Sequence, residues 1–118
     1  VDDRFAKSLV KVICRILFKF GKRMNPRGAM PMHIMLEEAH RYVQNDNDNY
    51  LLGYNIFERI AKEGRKYGLL LNLISQRPVD IAEGVISQCS NFFIFKKCIK
   101  NGVIFVNHTA KLIIKFHI

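Results

Sequence analysis

Two adjacent carboxylates, Glu37 and Glu38, close a short apolar run, Met32-His33-Ile34-Met35-Leu36, and lead into Ala39 and His40. An apolar run that ends in acids is how a buried strand of a parallel sheet reaches its carboxyl end, where open α/β sheets bind their ligands. There the first acid can orient a water on Mg²⁺, and the second can polarise the water that attacks a γ-phosphate. A second apolar run, Leu69 to Ile74, also ends in polar residues, Ser75-Gln76-Arg77-Pro78. Gln76 is uncharged and suits sensing of a γ-phosphate or of the attacking water. Between the runs, Glu63-Gly64-Arg65-Lys66-Tyr67-Gly68 carries Arg65, a candidate arginine finger offered to a neighbouring subunit.

Taken singly, each of these residues has a plainer reading. Two acids at a strand end are commonly solvated loop charges, and Gln76 alone is a turn residue. Arg65 and Lys66 suit the negative end of a helix dipole. His33 packs at a sheet face, while His40 is either a satisfied histidine or a support for the carboxylates. Cys89 reads as a buried thiol. No H-e-x-x-H spacing is present, so the acids do not belong to a zinc protease signature.

The elements that must position these groups follow from periodicity. Phe5, Leu9, Val12, Ile13, Ile16, Leu17 and Phe20 recur at steps of three and four, with Lys7, Lys11, Arg15, Lys19 and Lys22 mostly between them, which predicts an amphipathic helix over residues 1 to 23. Gly, Pro, Asn and Arg over residues 21 to 31 make a breaker-rich linker. Residues 32 to 36 then read as a strand buried on both faces. The polar stretch 44 to 49, around Asp46 and Asp48, reads as a loop with helix-capping side chains. Ile56, Phe57, Ile60 and Ala61 give the stripe of the next helix, Glu58 and Lys62 pair at four residues' spacing, and Gly68 ends it. Asp80 is expected to cap a short helix over 81 to 87, and 91 to 95 reads as a third strand. Strand, helix, strand, helix, strand predicts an α/β fold with a parallel sheet flanked by helices. In 97 to 118, the bursts 103 to 106 and 112 to 116 are expected to pair as a hairpin.

Composition narrows the classes. The chain has 118 residues, 49% hydrophobic and 25% charged, which excludes disorder and collagen-like repeats and fits one domain with a real core. A formal charge of +9 favours polyanionic partners. That charge is uneven: residues 31 to 83 hold eight acids against six Lys and Arg, while 84 to 118 hold five Lys and no acid. Cys14, Cys89 and Cys98 are odd in number and form no C-x-x-C, so neither a disulfide framework nor a zinc site is indicated and a reducing cytoplasm fits. Cations recur through the first apolar stretch, which excludes a signal peptide or membrane span there. A start at Val-Asp-Asp without Met is expected of a fragment.

In combination, the Glu-Glu-Ala-His strand end, the segment Ile60 to Gly68, the run Leu70-Leu71-Asn72-Leu73-Ile74-Ser75-Gln76-Arg77-Pro78 and Ile86-Ser87-Gln88-Cys89-Ser90-Asn91 resemble the HerA branch of the HerA/FtsK P-loop translocases. The resemblance covers roughly residues 30 to 96. It implies part of a RecA-like P-loop ATPase core that uses ATP and Mg²⁺, assembles as a homo-hexamer and moves double-stranded DNA, often beside a nuclease. Glu37 then matches the metal-orienting acid of a Walker B segment, acting through water, and Glu38 the catalytic glutamate. Gln76 matches the polar sensor and Arg65 the trans-acting finger. Lys66 is a weaker candidate for that contact and, with Glu37, for nucleotide binding.

Two departures set limits on what the chain does alone. No G-x-x-x-x-G-K-[ST] occurs, and the single Gly-Lys, Gly21-Lys22, lacks the preceding glycine and the following hydroxyl. The chain therefore resembles the C-terminal part of a larger ATPase domain, over 1 to 96, and is expected to be inactive alone. From about Lys97 the resemblance and the acids are lost together, which marks 97 to 118 as a divergent basic tail, expected to be foreign or frame-shifted. The alternative is a non-catalytic basic module for nucleic-acid binding or assembly, using Lys7, Lys11, Arg15, Lys19, Lys22, Arg23 and Arg27.

Overall fold

The computed structural model describes residues 2–45, 54–94, 98–100, 103–105 and 112–115. Helix α1, Asp3–Arg23, begins where the Asp2 carboxylate accepts the N–H of Arg4, and carries Lys22 and Arg23 in its last turn, where cations suit the dipole. It docks through Cys14, Phe18 and Gly21. The stripe of Phe5, Leu9, Val12, Ile13, Ile16 and Phe20 is exposed, so the helix is apolar on two sides and buries the narrower one.

Strand β1, Met32–Glu37, pairs in parallel with β2, Leu69–Ser75, in a register running from Met32 opposite Leu69 to Glu37 opposite Ile74. β2 is buried on both faces along nearly its whole length, as a run that is apolar at every position from Leu69 to Ile74 except Asn72 predicts. β1 is not. It is an edge strand in which Met32, Ile34 and Leu36 turn to the core while His33, Met35 and Glu37 are exposed. The buried Asn72 amide of β2 meets the Nδ1 of His33 at 3.4 Å, so this polar side chain in the middle of the central strand has a partner.

Helix α2, Ile56–Glu63, connects the two strands on the face that also carries α1. Its cap is Asn55, whose Oδ1 accepts the N–H groups of Phe57 at 3.0 Å and Glu58 at 3.3 Å. Asp46 and Asp48 lie outside the described residues. Lys62 pairs with Glu58 at 2.9 Å, as expected, and Arg59 with Glu63 at 3.3 Å. Ile56, Phe57 and Ile60 fill the core between α1 and β2, each full burial contributing roughly 1.5–3 kcal/mol. Arg59 lies over the rings of Tyr54 and Phe18 at 4.5 and 5.7 Å, tying the two helices together. A 3-10 turn, Gly64–Tyr67, tightens the helix end, and Gly68, at φ 75°, reverses the chain into β2.

After β2 a 3-10 turn, Pro78–Asp80, precedes the short helix α3, Glu83–Ile86. Asp80 does not cap that helix. Its carboxylate takes Arg77 at 2.7 Å, and the N-cap position falls on Ala82, with no side-chain cap. Strand β3, Asn91–Ile94, runs in the same direction as β1 and β2, yet β6, Leu112–Lys115, stands between β2 and β3 and is antiparallel to both. The sheet order is β1-β2-β6-β3. The expected hairpin is not formed: β5, Val103–Phe105, pairs with β4, Cys98–Lys100, and β6 joins the main sheet instead. The class remains α/β with a parallel strand pair and helices, but the sheet is mixed. No described helix is long and apolar enough to cross a membrane.

Candidate functional site

Because β1 and β2 are parallel and in register, their carboxyl ends fall side by side: Glu37 lies opposite Ile74, and the next positions along are Glu38 and Ser75. Glu38 leaves the strand in the left-handed region, at φ 53° and ψ 42°. A non-glycine residue pays roughly 1–2 kcal/mol for that conformation, so the surrounding structure must hold it there. The turn that follows does so. Arg41 N–H donates to Glu38 O at 2.9 Å, Val43 N–H to Ala39 O at 2.8 Å, and Ala39 and Val43 are fully buried. The same turn is tied to the loop after β2 by the N–H of Ala82 donating to Val43 O at 2.9 Å.

On β2, Ser75 is fully buried and Gln76 exposed. The Ser75 hydroxyl accepts the N–H of Arg77 at 3.0 Å and meets His40 Nδ1 at 2.7 Å. His40 Nε2 is 3.6 Å from the Glu38 carboxylate, which is itself half exposed. The fold thus gathers Glu37, Glu38, His40, Ser75 and Gln76 at one edge. Sequence reading left His40 open and passed over Ser75. The signal for Ser75 was its inward register with Leu69, Leu71 and Leu73, since a buried hydroxyl at that position needs a partner.

Arg65 and Lys66 are not part of this cluster. They are exposed on the turn before β2, and seven residues of strand, about 20 Å at 3.3 Å per residue, separate that end from Gln76. Arg65 lines a small pocket of about 120 Å³ with Lys62, Gln88 and Ser90. Gly21 and Lys22 are in the last turn of α1, where the Lys22 ammonium lies 4.6 Å from the Phe18 ring centre. That lysine is occupied by packing and stands outside the cluster. Other cations of the first 30 residues are also engaged: Lys7 donates to Gln44 at 2.9 Å, Arg15 lies over Tyr54 at 5.1 Å and Arg27 over Tyr67 at 5.9 Å.

A cleft of about 590 Å³ adjoins the cluster, lined among others by Arg4, Lys7, His40, Arg41 and Arg77. Two of its cations are already paired, Arg41 with Asp3 and Arg77 with Asp80; the Asp3 hydrogen bond and charge raise the Arg41 pKa further. Among the described residues no group of three or more His, Cys, Asp or Glu side chains gathers as a metal-ligand set. The hard oxygens of Glu37 and Glu38 at an open edge fit a cation that keeps several of its waters, as Mg²⁺ does.

The chain is 39% identical over 77 residues to the DNA double-strand break repair helicase HerA of Saccharolobus solfataricus, which covers 65% of this chain and 15% of that protein. It is 41% identical over 96 residues to a probable helicase of Methanocaldococcus jannaschii, covering 81% and 18%. The chain is a HerA-branch sequence. HerA of Pyrococcus furiosus is 37% identical over 71 residues, 60% of this chain and 12% of that helicase. This HerA-branch chain therefore spans less than a fifth of the length of these relatives. No family model and no solved structure matches it. Its parallel β1 and β2 with their helices are consistent with a partial P-loop ATPase core.

Proposed function

We propose that this chain is the part of a HerA-branch ATPase that holds the hydrolytic carboxylates, and that the whole protein works as a homo-hexameric ring translocating double-stranded DNA. One juxtaposition supports the reading: the Glu37-Glu38 pair and Ser75-Gln76 end adjacent parallel strands together, with Glu38 held in a strained backbone conformation. Bound Mg-ATP would supply the phosphoanhydride bond and the metal's charge. With that group bound, Glu37 would help hold the metal through water, Glu38 would polarise the attacking water, and Gln76 would offer its amide where charge develops. Arg65, with Lys66 beside it, serves the site of a neighbouring copy, because the length of β2 keeps it from its own. The phosphate-binding loop is supplied by sequence outside this chain, and 97 to 118 is a divergent end to the ATPase core.

In the assembled full-length protein, Glu38→Gln is expected to retain ATP while abolishing turnover, and normal turnover would remove Glu38 from its role. Arg65→Ala is expected to lower turnover by 10³-fold or more, the order of an arginine finger. Mixing Arg65→Ala with subunits that carry the arginine is expected to restore activity. The competing reading, a basic binding module, has less support, because Arg15, Lys22 and Arg27 already lie over aromatic rings.

A further inference from the structure

We propose that His40 is a positioning residue for Glu38, with its ring tautomer set by Ser75. The Ser75 hydroxyl has one proton, and its oxygen already accepts the N–H of Arg77. Among the described residues His40 Nδ1, at 2.7 Å, is the one acceptor recorded for that proton. Were Nδ1 protonated instead, it would donate to Oγ and leave a buried hydroxyl proton without a partner, which a folded chain avoids. Nδ1 therefore accepts. In the neutral ring the proton then resides on Nε2, which faces the Glu38 carboxylate at 3.6 Å. That distance is just beyond a hydrogen bond, so a small rotation of the half-exposed Glu38 side chain closes it.

The consequence is a connection between the two strand ends. Glu38, His40, Ser75 and the N–H of Arg77 form a continuous chain of contacts, and Gln76 is the residue enclosed by the Ser75 to Arg77 turn. An N–H donor aimed at Glu38 restricts where its carboxylate sits relative to Gln76, which is what a group that must aim a water needs. The part played by Glu38 rests on the proposed ATPase reading; the tautomer and the contact do not.

The test is nitrogen NMR on the ¹⁵N-histidine-labelled chain, read in the neutral form of the ring. His40 is expected to show a pyridine-like Nδ1 and a pyrrole-like Nε2, and Glu38→Gln is expected to move the Nε2–H resonance. Protonation at Nδ1, or an Nε2–H resonance indifferent to Glu38→Gln, overturns the proposal. Ser75→Ala is expected to mix the tautomers and Ser75→Thr to restore one, but the unsubstituted chain alone decides the tautomer. In the assembled protein, His40→Gln keeps a donor at the Nε2 position and is expected to retain most of kcat. His40→Asn lacks that donor and is expected to lower kcat roughly ten- to a hundredfold at unchanged KM. Equal effects of the two variants overturn the positioning role, whereas absence of ATPase in the unsubstituted protein overturns the proposed function and leaves the tautomer result standing.

Discussion

A Cβ placed on Gly64 would lie 2.5 Å from the carbonyl oxygen of Leu69. Gly64 itself is in ordinary helical conformation, at φ −55° and ψ −35°. On backbone preference alone, alanine there would stabilise the helix end by roughly 0.5–1 kcal/mol. The contact reverses the sign, because the atom in the way belongs to the first residue of the central strand and cannot rotate aside. Gly64→Ala is therefore expected to destabilise the chain by about 2 kcal/mol, within the range of overpacking at a rigid site. Urea unfolding checks it, and an unchanged midpoint would show that the helix end and β2 are farther apart than described.

Glu38 gives the opposite expectation. Its left-handed backbone costs roughly 1–2 kcal/mol, and glycine would remove that cost while adding about 0.5–1 kcal/mol of entropy to the unfolded chain. Glu38→Gly is thus expected to stabilise the chain by up to about 1.5 kcal/mol while deleting the carboxylate proposed to aim the water. Thermal unfolding of the chain and ATP turnover of the assembled protein should move in opposite directions. A loss of stability would mean that the Glu38 side chain, through His40, holds the turn more strongly than its backbone strains it.

The positions of these two residues bear on what the sequence made legible. β2, with its run from Leu69 that is apolar but for Asn72, was readable because central strands bury both faces, and the ends of β1 and β2 followed from the acids and from Gln76. β1 was misread as doubly buried because its short apolar run looks alike in the middle or at the edge of a sheet; only pairing decides which. The destination of β6 was likewise hidden, since pairing between distant segments leaves no local pattern. The Asp80 cap failed because Arg77, three residues away, competed for the same carboxylate. His40 and Ser75 are 35 residues apart, and their contact depends on a parallel register that periodicity does not give.

Burial raises the pKa of the Cys14 thiol from 9.0 to about 11 and that of Cys89 to about 12. Cys89 also donates its S–H to Val85 O at 3.3 Å. The folded chain therefore holds these protons more tightly than the unfolded one. That contribution to stability is whole below pH 9.0, the ordinary value for the unfolded thiol, and is lost as pH rises toward about 11 and then 12. Urea midpoints are expected to fall on this alkaline limb, less steeply in a Cys89→Ala variant. Alkylation mapped by peptide mass should leave both thiols unmodified at neutral pH until denaturant is added. Rapid labelling of Cys14 in the native chain would show that α1 does not dock as described.

Two phenylalanines on α1 test the same docking from the other side. Phe18 is 2% exposed, meets Tyr67 edge to face at 5.6 Å between ring centres, and lies under Lys22 and Arg59. Phe20 is 43% exposed and belongs to the apolar stripe on the far side of the helix. Phe18→Ala leaves a cavity among buried neighbours and is expected to cost roughly 3–5 kcal/mol. Phe20→Ala removes a side chain whose surface is largely in water, and is expected to change stability by about 0.5 kcal/mol or less. Sequence periodicity alone ranks them the other way, because Phe20 falls on the wider apolar stripe with Phe5, Leu9, Val12, Ile13 and Ile16. If unfolding midpoints show Phe20 to be the costly position, α1 is rotated about its axis relative to the arrangement described, and Cys14 and Gly21 lose their place in the core with it.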